Sequence, residues 1–157
     1  MLSKKEFQVR AAVIALAFLT PIICLMGYGY MPSLSTYWKT EMQPIFIIAN
    51  ATTSYYLFSM TQWRIPAIFL LLLTAFSVDM YGPLHNALAI IFFVVTLWPL
   101  FMSNHFKWIK WVYLSSLLAL PWSMLVSEMI AITTLCVYNA LLLRKTYSIL
   151  KQKHKLS

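Results

Sequence analysis

Five side chains in this sequence have the chemistry of a hydrolytic or acyl-transfer site: Ser33, Ser35, Asp79, His85 and Glu128. A serine hydroxyl becomes a nucleophile when a neighbouring imidazole takes its proton, and an acid can orient that imidazole. The residue types assign Ser33 or Ser35 as nucleophile, His85 as base, and Asp79 or Glu128 as the orienting acid. No Gly-x-Ser-x-Gly elbow frames either serine. A plainer role competes with this one. Serines in loops make local turn and capping bonds, and Asp and His satisfy helix ends. Asp79, His85 and Glu128 also form a nominal three-ligand set, but their spacing matches no metal motif, so neither metal nor other cofactor is expected.

The elements that must position these residues are apolar. Of 157 residues, 61% are hydrophobic and 10% charged, with a mean hydropathy of +0.75. A soluble domain carries roughly 25% charged residues, so a soluble fold is excluded. The net charge of +8 does not indicate nucleic-acid binding. The bases lie between apolar runs and at both chain ends, as in cytoplasmic loops that meet anionic lipids. Cys24 and Cys136 lie inside apolar runs without ligand spacing, as packing residues do. The start, "MLSKKEFQVR" followed by "AAVIALAFLTPIICLM", resembles a signal peptide without a small-x-small cleavage pattern, and reads as an uncleaved first helix.

Six membrane spans follow, at about 11–30, 44–63, 66–81, 83–102, 109–121 and 124–143, with a basic tail over 144–157. Pro21 is expected to bend the first span, Pro44 opens the second, and Gly82-Pro83 turns the chain into the fourth. The run from Trp111 to Leu143 holds one charge, Glu128. As a single helix it would reach about 50 Å, too long for a hydrocarbon core of about 30 Å. Pro121 and the polar cluster Ser123, Ser127 and Glu128 divide it. Six spans put every lysine and arginine except Lys39 on one side, and five would separate the basic ends. The expected fold is an all-α, six-helix compact bundle with both termini cytoplasmic.

Under that topology Ser33, Ser35, Lys39, Glu41, Asp79, His85 and Glu128 gather on the outer face, brought there by three loops. Tyr37 and Trp38, with Lys39 and Glu41, are expected at the outer interface, where amphipathic rings favour headgroup depth. The most polar span is the second. Asn50, Thr53 and Ser54 share a face there that either lines a transport path or joins helices by hydrogen bonds. No charge is expected at mid-membrane, where ion-coupled transporters usually keep one. "Asn50-Ala51-Thr52" matches a glycosylation pattern within a span and should be inaccessible.

The pieces "SLSTYW" (Ser33, Ser35, Tyr37), "VDMYGPLHNALA" (Asp79, His85) and "VSEMIA" (Glu128) occur in a characteristic order. In that order the chain resembles small bacterial six-helix inner-membrane proteins of unassigned function, which carry a Ser-x-Ser-x-Tyr-Tyr segment after the first helix. The resemblance covers nearly the whole chain, with Trp38 in place of the second Tyr and a very short connection before the sixth helix. It implies fold and an inner-membrane location, and no reaction. The leading expectation is a multi-pass accessory protein, or one binding a lipid or small molecule at an outward polar cluster. A membrane-embedded hydrolase or transferase acting on a lipid or envelope substrate is the alternative, and a small transporter the third.

Overall fold

A computed structural model describes residues 3–156 of the chain, with side chains described to residue 149. Expectations that rest on Lys151, Lys153, His154 and Lys155 in the basic tail concern side chains outside that range. Among the described residues the structure is helical throughout, with no strand. Six α-helices run in order: α1 (Lys4–Tyr28), α2 (Gln43–Phe58), α3 (Arg64–Ala75), α4 (Val78–Met102), α5 (Lys107–Leu118) and α6 (Met124–Leu156). Two 3-10 helices, Leu34–Lys39 and Thr61–Trp63, precede α2 and α3.

Three helices are long and apolar enough to cross a membrane: Lys4–Tyr28, Val78–Met102 and the Met124–Ile149 part of α6. The remaining three have 16, 12 and 12 residues. At 1.5 Å per residue, the 12-residue helices reach only about 18 Å. Large apolar side chains are exposed on every helix, among them Met26, Ile48, Leu71, Trp98, Leu118 and Val126. Large apolar side chains exposed on every helix suit a lipid-facing surface.

Helix ends follow their local chemistry. Ser3 and Glu6 form a reciprocal capping box at the start of α1. Gly29 closes that helix at φ 71°, a left-handed conformation that glycine adopts without a Cβ clash. Pro44 lies in the first turn of α2, where its missing N–H costs nothing. In α4 the backbone leaves helical geometry at Tyr81 (φ −132°, ψ 36°), two residues before Pro83, whose ring cannot follow a regular turn. Between α5 and α6 the chain turns across residues 119–123, and Ser123 Oγ accepts from Val126 N–H at the start of α6.

Successive helices pack against one another, and α6 returns against α1 to close the bundle. Phe7 of α1 and Tyr147 of α6 stack with ring centroids 4.5 Å apart, so early and late residues share one end. Buried hydroxyls join neighbours by reaching across to main-chain carbonyls. Ser54 donates to Ala67 O at 2.6 Å, Ser127 to Ser116 O at 2.6 Å, and Tyr113 to Phe93 O at 3.0 Å. Such bonds hold apolar helices together where lipid removes the hydrophobic drive to associate. Ser54 is therefore a helix-joining residue.

Candidate functional site

The Leu34–Lys39 segment is stitched to the rest of the bundle from several sides. Its sequence places Leu34, Ser35, Tyr37 and Trp38 inward and Lys39 outward. Leu34 N–H donates to Glu128 Oε2 at 2.7 Å, which ties the segment to α6. Leu125 N–H donates to Pro32 O at 3.2 Å, and the Tyr37 hydroxyl donates to Gly29 O at the end of α1. Lys39 and Asp79 form an ion pair of 2.8 Å, with both side chains about half exposed. Tyr37 and Trp38 are thus enclosed by protein, while Lys39 and Glu41 remain exposed. Enclosure follows from Leu34, Tyr37, Trp38, Phe46, Cys24 and Leu125 forming one apolar cluster beneath the segment.

Ser35 and His85 meet inside this arrangement. Ser35 Oγ lies 2.7 Å from His85 Nε2, and His85 Nδ1 lies 2.6 Å from Phe76 O. The position of that carbonyl has a local cause. Phe76 ends α3 in an extended conformation, and a helix's last carbonyls lack intrahelical partners. The bend before Pro83 then brings the part of α4 just beyond it, with His85, against that carbonyl. A carbonyl oxygen only accepts, so a neutral His85 carries its proton on Nδ1 and leaves Nε2 as an acceptor. These partners assign the Ser35 hydroxyl as donor to Nε2. His85 is fully enclosed and Ser35 is nearly so, with the Trp38 indole edge-on to the imidazole at 6.5 Å.

The other expected members of the cluster have separate duties. Ser33 Oγ pairs with Thr36 Oγ1 at 3.1 Å, a local bond within the turn. Asp79 faces Lys39, and Glu128 faces Leu34 N–H, one residue before Ser35. Neither acid is the hydrogen-bond partner of His85; the Phe76 carbonyl holds that position. Among the described residues, no three His, Cys, Asp or Glu side chains converge as a metal ligand set.

Behind Ser35 opens a cavity of about 100 Å³. On the same measure one water needs roughly 10–15 Å³. Its walls come from α1, α2, α3, α4 and α6 and are mostly apolar. Leu34, Ser35 and Glu128 line one end, while Tyr56 and Trp63 belong to the opposite part of the bundle. Asn50, Thr53 and Asn139 also line it. Three polar atoms of lining residues, Thr53 Oγ1, Trp63 Nε1 and Asn139 Oδ1, are buried with no hydrogen-bond partner among the described residues. Asn50 and Thr53 stand out in the second span, whereas Trp63 and Asn139 were not among the expected site residues. The signal for Asn139 is a lone amide within "TTLCVYNALLL", and no sequence signal distinguishes Trp63 from an interfacial tryptophan.

The opposite end of the bundle is basic. Arg10 stands over the Tyr56 ring at 5.9 Å, Arg64 over Phe58 at 5.7 Å and Lys110 over Phe101 at 5.3 Å. Lys145 Nζ lies 3.1 Å from His105 Nδ1. Compared with protein-family models, curated proteins and solved structures, the chain matches none.

Proposed function

We propose that this chain is a multi-pass integral membrane protein that binds a lipid or another small amphiphile in its interior cavity. The observation that carries this reading is the cavity itself: a mostly apolar space whose lining residues Thr53, Trp63 and Asn139 each hold a buried polar atom without a partner among the described residues. A buried polar atom without a partner costs roughly 1–3 kcal/mol, and an occupant with hydroxyl, ester or amide groups offsets that cost. Trp63 Nε1 supplies a donor, Asn139 Oδ1 an acceptor, and the Thr53 hydroxyl either. Apolar walls suit an alkyl chain. The same walls weigh against an ion path, although Asn50 and Thr53 give a transport reading its polar face.

In this reading six helices contribute to the membrane domain, both termini are cytoplasmic, and the Ser35–His85 end faces outward. The positive-inside bias supports it, because the basic end gathers Arg10, Arg64, Lys110 and Lys145 and the opposite end holds Lys39. The resemblance to bacterial inner-membrane proteins supports that location, and anionic lipids are the expected partners of the basic end.

The test uses the full chain in detergent micelles and a brominated monoalkyl glycerol ether as ligand. The wild type should bind it with quenching of tryptophan fluorescence that Trp63→Phe diminishes. Ala49→Phe, which fills the cavity from α2, should weaken binding about tenfold or more. Equal binding by the filled variant would place the ligand elsewhere and end this reading. Reporter fusions after Arg64, Lys107 and the C-terminus should all report the cytoplasm; an external C-terminus would refute the topology.

A further inference from the structure

The cavity and the Ser35–His85 pair share a residue, because Ser35 belongs to both. Three features distinguish this serine from the buried hydroxyls elsewhere among the described residues. Ser54, Ser116, Ser127, Thr20, Thr96 and Thr134 all donate to main-chain carbonyls, the ordinary fate of a hydroxyl in an apolar helix. Ser35 instead meets an imidazole nitrogen. That nitrogen is the acceptor of a ring whose tautomer the Phe76 carbonyl holds. Finally, Ser35 lines a mostly apolar space of a kind that suits an alkyl chain. A helix-joining serine needs none of these, and a base-activated serine acting on a long-chain ester uses all three.

The geometry points to Ser35 as the nucleophile of an acyl-transfer activity on long-chain esters, with His85 as its general base. This inference rests on amphiphile binding in the cavity and extends it to a reaction. Ser35 Oγ attacks the ester carbonyl carbon while its proton passes to His85 Nε2. The carbon–oxygen bond to the leaving alcohol then breaks, and His85 returns the proton to the departing oxygen. The product is an acyl ester on Ser35 and a free alcohol. Water, or a second alcohol, attacks the acyl-serine in the next half-reaction, giving its proton to His85 and restoring the Ser35 hydroxyl. The outcome is hydrolysis with water and transfer with an alcohol; no electrons are gained or lost. The Phe76 carbonyl serves where many such sites use an acid, keeping Nδ1 protonated and the ring aimed.

Leu34 and Glu128 position this machinery. The Leu34 N–H bond to Glu128 anchors the residue immediately before the nucleophile to α6, so Glu128 acts through the backbone and does not contact the imidazole in this arrangement. Ser33, two residues away, is occupied by Thr36 and does not border the cavity.

A long-chain alkyl fluorophosphonate tests the assignment directly. Attack by an activated serine forms an oxygen–phosphorus bond and expels fluoride, leaving a stable adduct that mass spectrometry maps to one residue. With the full chain in lipid nanodiscs, the expected result is a single adduct on Ser35. It should be absent in Ser35→Ala, unchanged in Ser33→Ala, and formed at least about 100-fold more slowly in His85→Gln, the lower range of general-base contributions. The non-reactive glycerol ether is bound in parallel. A wild type that holds the ether but acquires no Ser35 adduct overturns the activity and leaves the binding site standing. A wild type that binds neither overturns both. An adduct at another residue, or a folded His85→Gln labelled at the wild-type rate, also overturns the assignment. Mapping on the wild type carries the test even if a substituted chain fails to fold.

Discussion

At the basic end of the bundle, Arg10, Arg64 and Lys110 lie over the rings of Tyr56, Phe58 and Phe101. At the opposite end, Ser35, His85 and Glu128 are buried and bonded to specific partners on other elements. The first set keeps its charges near solvent or headgroups, where long side chains move freely and each contact is worth little. The second set has traded that freedom for fixed geometry, because a buried polar group must be paired. The difference teaches where each end's sequence information resides. Charge alone, tolerant of exact position, serves the basic end. At the hydroxyl end a displacement of 1 Å would break a hydrogen bond.

The largest expected contrast is between His85 and Arg64. His85→Ala deletes a buried ring and orphans both the Ser35 hydroxyl and the Phe76 carbonyl, which should cost about 3–5 kcal/mol. Arg64→Ala should cost about 1 kcal/mol or less. Unfolding in mixed micelles measures both, and similar losses would erase the proposed asymmetry. Glu128 sharpens it further. Glu128→Ala leaves the Leu34 N–H without an acceptor and should cost about 2–3 kcal/mol, whereas Glu128→Gln retains a carbonyl oxygen there and should cost about 1 kcal/mol. A glutamine variant as damaged as the alanine one would show that the amide cannot take over the bond.

Thr53→Val addresses the region between the two ends. It removes an unpartnered hydroxyl with little change of shape, so the ligand-free chain should be unaffected or gain up to about 1 kcal/mol. Its affinity for the glycerol ether should fall. A destabilised ligand-free variant would mean that the hydroxyl already has a partner. The smallest effect belongs to Lys39→Ala, which opens a half-exposed ion pair and should cost under about 1 kcal/mol, vanishing at high salt. A salt-independent loss would reveal a role for Lys39 beyond that pair.

Much of the helical segmentation was open to sequence reasoning because it depends on local chemistry. Pro44 and the Gly82-Pro83 pair mark backbone constraints that act within a turn or two, and the structure places helix starts or bends beside them. Helix lengths were harder. The third expected span reaches residue 81, whereas α3 ends at Ala75 and Val78 already begins α4. The apolar pattern continues through that junction, so hydropathy cannot locate it. The site divides in the same way. Ser35 and His85 are conspicuous by type, but their pairing spans 50 residues and depends on how the 3-10 segment folds inward. Phe76 contributes a carbonyl that every residue possesses, and no side-chain pattern announces it. Trp63 and Asn139 become cavity residues only when α2, α3 and α6 pack together.

The shortness of α3 has a consequence for the surrounding bilayer. A 12-residue helix of about 18 Å falls well short of a hydrocarbon layer of about 30 Å. In the proposed six-span arrangement, lipid beside such a helix would thin locally, or the helix ends would sink below headgroup depth, at a cost of fractions of a kcal/mol per ångström of mismatch. Since Phe76, whose carbonyl meets His85, caps the end of α3, thinning there would draw headgroups and the ester linkages beneath them toward Ser35. Under that arrangement bilayer thickness is a control variable: short-chain lipids should favour access to the recessed hydroxyl, and long-chain lipids should oppose it.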